Sequence, residues 1–231
     1  LRSGRADRAV AAGGNRKTWL GAMVLAVGAS ASAGTHAQDG PPTQHFQNFK
    51  VEPPRGSTVH VCHAYGCRKQ TRVRFTDGDL AELKSLMAKT RKADTAAEER
   101  RAVAYAIGWM ERRVGAAIGT ASDRAGMDFA ASGDPTQQDC VDEATNTTAY
   151  LTVLANAGFV KHHAVSTPFA KDDYSRGVSG WTHWTAVLKE QASGQRWALD
   201  SWIYANGENP AVVEVEKWYV DAIEDLPPPQ K

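Results

Sequence analysis

Between residues 79 and 158 the apolar side chains recur at helical spacing, and beyond residue 158 they fall into short runs of strand length. That change of period constrains the fold more than any other feature, because helices followed by strands build an α+β domain on an antiparallel sheet rather than alternating βα units. Leu80, Leu83, Leu86 and Met87 stripe a helix over 79–90, entered through the turn Thr76-Asp77-Gly78. Val103, Ile107, Met110, Val114 and Ile118 stripe a second over 95–118, with Glu98, Glu99, Arg100, Arg101, Glu111, Arg112 and Arg113 expected on its solvated face. Val141, Ala144, Thr148, Leu151 and Ala155 stripe a third, which starts at Cys140 and stops at Asn156-Ala157-Gly158. Strands are expected over 159–165, 181–188 and 196–203, the last two joined by a turn at Ser193-Gly194. An earlier hairpin is expected from 58–62 and 71–75, and no segment repeats another.

The organisation around this unit follows from composition. Arg16-Lys17-Thr18, the apolar run 19–27 and small residues ending at Ala33 and Ala37 form a signal-peptide pattern over 1–37, with cleavage near Ala33 or Ala37. The run is too short for a permanent membrane span, so the expected location is periplasmic or secreted. Residues 38–54 are polar and carry Pro41-Pro42 and Pro53-Pro54, which predicts an extended arm. The folded domain is expected over 55–226, before the Pro227-Pro228-Pro229 tail. With 27 Lys and Arg against 26 Asp and Glu, the formal charge of +1 gives no basis for a nucleic-acid or anionic-membrane partner.

Three cysteines must be read in an oxidising compartment. Cys62 and Cys67 flank a short loop, and a disulfide there leaves Cys140 as a free thiol that calls for a reason. The alternative makes Cys62, Cys67, His60 and His63 a metal cluster, against the usual pattern of two separated ligand pairs.

Asp139 caps the third helix and Asp142 completes a box with it, so Cys140 becomes its first residue. Free backbone N–H groups and the helix dipole favour a thiolate there. Asp139, Asp142 and Glu143 oppose it, and a cation would relieve them, which makes these three the expected ligands of an optional calcium ion. The plain alternative is a small buried cysteine with Asp139 as a cap only. His183 begins one strand and Asp200 lies in the next, so nucleophile, base and orienting acid occur in that order. A two-residue turn at Ser193-Gly194 sets Asp200 opposite Val187, on the face of His183 but ~13 Å along the strand, so a wider turn, bulge or twist is required. Gln138 or Gln137 is placed to donate to an oxyanion. Trp181, Trp184, Trp197 and Trp202 gather near the site or serve as core, and His162 and His163 are rival bases that rank below His183.

The ordered set Asp139-Cys140-Val141-Asp142-Glu143-Ala144, His183-Trp184-Thr185-Ala186-Val187-Leu188 and Leu199-Asp200-Ser201-Trp202 resembles the bacterial transglutaminase-like cysteine proteinases of the papain and transglutaminase superfamily, over about residues 122–203. The resemblance implies a nucleophile helix packed on an antiparallel sheet, preceded by helices. It implies Cys140 as nucleophile, His183 as base, Asp200 as orienting acid, and amide-bond chemistry through a thioester on a protein or peptide substrate, with no required cofactor. Some relatives are calcium-dependent periplasmic proteases. Asp139 and Asp142 match their acidic pattern, whereas Val141 stands where many carry a carboxylate. Acyl transfer to an amine uses the same triad, and a non-catalytic module gripping peptide or cell-wall polymer uses the same fold; both remain open at this point.

Overall fold

The computed structural model describes residues 40–126, 128–172 and 182–220. The signal segment, Trp181 and the proline tail lie outside these described residues. Five helices and two antiparallel sheets make up the described part, an α+β arrangement. In chain order the elements are α1 (Thr43–Asn48), the hairpin strands β1 (Thr58–His63) and β2 (Lys69–Arg74), α2 (Asp77–Thr90), α3 (Ala96–Ile118), α4 (Cys140–Asn156), β3 (His163–Asp172), β4 (Thr182–Glu190), β5 (Arg196–Asp200), β6 (Ala211–Glu214) and α5 (Val215–Val220). Strands β3 to β6 form a sequential antiparallel meander.

Local chemistry fixes the helix starts. Thr76 and Asp79 close a capping box on α2, Thr95 caps α3, and Asp139 with Asp142 closes a second box on α4. Each box satisfies two backbone N–H groups that a helix start leaves unpaired. Helix α3 ends where Gly119 turns left-handed at φ 91° and donates to the Gly115 carbonyl.

Helix α4 is the central element, buried on nearly every side. Ala149, Tyr150, Leu151, Val153 and Leu154 share one core with Val103, Ile107 and Met110 of α3, Leu83 and Met87 of α2, Val59 and Val61 of β1, and Ala186, Leu188 and Leu199 of the large sheet. Its four consecutive buried polar residues are all satisfied: Thr145 and Thr148 donate to carbonyls one turn back, Thr147 meets Ser201, and Asn146 bonds both the N–H and the carbonyl of Cys62. A second core of Phe169, Val187, Ala198, Val213, Val215 and Trp218 covers the opposite sheet face.

Five sequence expectations change. The arm over 38–54 is not wholly extended: α1 forms within it, and Phe46 and Val51 enter the main core because burying them outweighs the extended bias of the flanking prolines. The solvated face of α3 is interrupted, since Glu99 is 0% and Glu111 4% exposed. Glu99 is held by Arg91 and by the backbone N–H groups of Lys161, His162 and His163; these bonds also delay the strand expected at 159–165 until His163. The β4–β5 connection spans 191–195 rather than two residues, closed by Gly194 N–H to the Glu190 carbonyl and Glu190 N–H to the Gln195 carbonyl. Finally, the strand expected over 196–203 ends at Asp200, and the Ala211–Glu214 strand and α5 follow it unforeseen.

Candidate active site

The wider hairpin solves the register problem. Ala186 pairs with Leu199, so one further step sets Asp200 opposite Thr185, two residues from His183 on the same face. His183 Nε2 lies 2.7 Å from Asp200 Oδ2, with the two side chains 3% and 1% exposed. Nδ1 of His183 is buried and has no hydrogen-bond partner. The imidazole is held between the rings of Trp202, 4.7 Å away, and Trp218, 5.3 Å away.

Cys140 stands at the first position of α4 and is the free cysteine among the described residues. Its thiol lies against the β4 main chain, 3.6 Å from the Thr182 carbonyl and in contact with the Trp184 backbone, the two residues that bracket His183. Burial, followed by the charges of Asp139, Asp200 and Asp142, pushes the thiol up to about 12. At neutral pH the resting group is therefore a thiol that donates to a carbonyl.

The disulfide Cys62–Cys67 is present. His63 is engaged elsewhere, by the Pro135 carbonyl and Thr71 Oγ1, so the alternative cluster of two cysteines and two histidines is not assembled. Inside the disulfide loop Ala64, Tyr65, Gly66 and Cys67 all take positive φ, of 70°, 70°, 63° and 55°. A run of left-handed residues turns successive N–H groups to one side and makes a nest for anions. Here Tyr65 N–H and Cys67 N–H reach the two oxygens of Asp142 at 2.8 and 2.6 Å, and Gly66 N–H reaches Asp139 Oδ2 at 2.9 Å. These donors offset the unfavourable left-handed backbone of three non-glycine residues, which costs about 1–2 kcal/mol each.

The nest also bears on calcium. Asp139 spends one oxygen on Gly66 and the other on the Asp142 N–H, while Glu143 turns into the interior at 5% exposure. The three carboxylates do not converge as a ligand set; among the described residues the one group of potential ligand atoms within 4.8 Å is Cys62, Cys67 and Asp142, whose cysteines are joined to each other. Backbone N–H groups thus meet the Asp139 and Asp142 oxygens where a cation was expected.

Gln138, expected at the oxyanion, sends its amide to the Cys62 carbonyl at 3.1 Å and keeps one amide hydrogen unassigned; Gln137 binds the Ser122 and Thr136 carbonyls. His163 is fixed between Glu99 and Arg100, and His162 pairs with Asp94, so neither rival base joins Cys140. Trp184 packs on His45 and Phe49, and Trp197 lies under Arg100, which makes both of them structural. Sequence reading missed Trp218, whose only signal was its place after the apolar pattern Val212, Val213 and Val215. It also missed the burial of Glu111, expected on a solvated face, and of Glu143, expected as a calcium ligand, and did not single out the buried Asp123.

No protein-family model, curated protein or solved structure matches this chain. No helix among the described residues is long and apolar enough to cross a membrane.

Proposed function

We propose that this chain is an exported cysteine hydrolase of papain and transglutaminase-like architecture that cleaves amide bonds in protein or peptide substrates. The observation that carries the reading is the buried His183–Asp200 pair with Nδ1 of His183 unpartnered, set where β4 meets the thiol of Cys140. Because Asp200 engages Nε2, the ring presents Nδ1 as the base.

The protonated resting thiol points to general-base attack rather than a standing thiolate–imidazolium pair. Sγ turns from the Thr182 carbonyl, its proton passes to Nδ1, and its electron pair attacks the substrate carbonyl carbon. The developing oxyanion is met by the unpaired Cys140 backbone N–H at the helix start and by the remaining amide hydrogen of Gln138. Collapse expels the amine, which takes the proton from Nδ1, and leaves a thioester. Water, deprotonated by the same nitrogen, releases the acid and restores the thiol. An amine admitted in place of water gives acyl transfer by the same steps.

The competing reading, a non-catalytic peptide-binding or cell-wall-binding module, is favoured by the high thiol pKa and the thiol-to-carbonyl contact. Turnover of a peptide library by the mature protein, read by mass spectrometry, separates the two. The hydrolase reading requires cleavage that Cys140→Ser and His183→Ala abolish and that Asp200→Asn reduces less completely. No cleavage by the wild type supports the binding module instead, and equal cleavage by Cys140→Ser removes Cys140 as the nucleophile.

A further inference from the structure

Three adjacent strands send polar side chains to one residue of α5. Lys171 of β3 donates from Nζ to the Trp218 carbonyl at 2.8 Å and sits 4.4 Å above its ring. His183 of β4, the cross-strand partner of Lys171, stacks on that ring. Asp200 of β5 accepts from Trp218 Nε1 at 2.8 Å. Phe169 closes the remaining edge, and Trp218 is 0% exposed. An indole so placed has one polar atom, and that atom is a donor only.

We propose that Trp218 is a positioning residue that sets the tautomer of His183 by committing Asp200 Oδ2 as an acceptor, an inference that rests on the hydrolase reading for its catalytic meaning. The same Oδ2 meets both Trp218 Nε1 and His183 Nε2, while Oδ1 has no partner. The indole can only donate, so it pins Oδ2 beside Nε2, and with Asp200 present as an acceptor-only carboxylate the hydrogen between Oδ2 and His183 is carried by Nε2. Nδ1 is then left with a lone pair, the form a base needs to take the proton of Cys140. Without the indole, Asp200 can swing about its Cβ–Cγ bond and present either oxygen, and the ring loses the partner that fixes which nitrogen is bare.

The test uses the full mature protein labelled with 15N-histidine, with Trp218→Phe as the variant because it keeps an aromatic ring and removes the N–H. Nitrogen chemical shifts report the His183 tautomer directly. The wild type should show hydrogen on Nε2 and a bare Nδ1, and Trp218→Phe should show a mixture of tautomers, with kcat lowered about tenfold and KM little changed. A variant that keeps the wild-type tautomer overturns the assignment, whatever its kcat. If Trp218→Phe does not fold, the link is read from the other side: in Asp200→Asn the Trp218 indole proton should move upfield and exchange faster with solvent, and an unchanged indole signal overturns the assignment. Should the tautomer change between the wild type and Trp218→Phe while the wild type shows no turnover, the hydrolase reading fails and the positioning role stands.

Discussion

The buried carboxyls on α3, on α4 and in the loop between them predict an unusual dependence of stability on pH. Glu111 of α3, Asp123 of the following loop, and Asp142 and Glu143 of α4 are all held above the ordinary carboxylate range, burial being the first cause in each case. Glu111 and Asp123 are pushed up to about 7 and Asp142 to about 8, and Glu143 is raised by the charges of Glu111, Asp123, Asp142 and Asp200 in addition to burial. Arg112 and Arg124 act against the shifts at Glu111 and Asp123, as do three backbone N–H donors at Asp142. The folded state therefore holds protons at pH values where the unfolded chain has released them, and stability falls as pH rises through the folded pKa values.

His45 works in the opposite direction. Burial lowers its pKa from 6.5 to about 4, so its contribution grows with pH and is complete by about pH 6.5. The carboxyls lowered in the fold (Asp79, Asp94, Glu99, Asp128, Asp134 and Glu216) act at more acidic pH still. The clean window is thus pH 6.5 to 8, between the unfolded His45 value and the folded Asp142 value. Neighbouring carboxyls share protons, so one net proton is the conservative count. One proton is worth ~1.4 kcal/mol per pH unit, hence about 2 kcal/mol across the window. For a domain of this size Tm should fall by about 4–8 °C. Glu143→Gln, which replaces a fully buried group whose Oε2 has no partner, should raise Tm at the alkaline end and flatten the slope. Scanning calorimetry on both proteins reads the effect. A Tm that is flat or rises from pH 6.5 to 8 refutes the reasoning.

Thiol counting on unfolded, non-reduced mature protein should find one free group, Cys140, and a count of three contradicts the disulfide. Replacing Cys62 and Cys67 by Ser should cost about 2 kcal/mol from the small ring alone. The double variant should also loosen the nest at Asp139 and Asp142, seen as faster amide exchange of Tyr65 and Gly66. Calorimetric titration of chelator-treated protein with millimolar calcium should give neither heat nor a shift in Tm, since those carboxylates already hold backbone donors; a stoichiometric heat would restore the cation to the helix start.

The parts of the fold written in local chemistry were readable from the chain. The Asp139 and Asp142 box placed Cys140 at the first position of α4 because capping involves residues only three apart. The order of Cys140, His183 and Asp200 was equally plain, but their register was not, because it depends on how the chain closes over 191–195. Glu99 and Glu111 looked like solvated charges on α3, since nothing nearby in sequence announces the backbone N–H groups that accompany them into the interior. The nest was hidden for a related reason: Ala64, Tyr65 and Cys67 carry no preference for a left-handed backbone, which the carboxylates of a distant helix and the disulfide impose. Helix α5 is six residues long, too short for a period to show, yet it supplies Trp218.

The central claim is that Cys140 is a nucleophile whose proton goes to His183. Its most direct test is the rate at which iodoacetamide alkylates Cys140 at pH 7, followed by mass spectrometry of the intact mature protein under non-reducing conditions. The account predicts that the wild type is modified at this one residue and that His183→Ala reacts about 100-fold more slowly or worse, the loss expected when a positioned general base is removed. Equal rates in the two proteins, or a Cys140 that stays unmodified in the wild type, would contradict it.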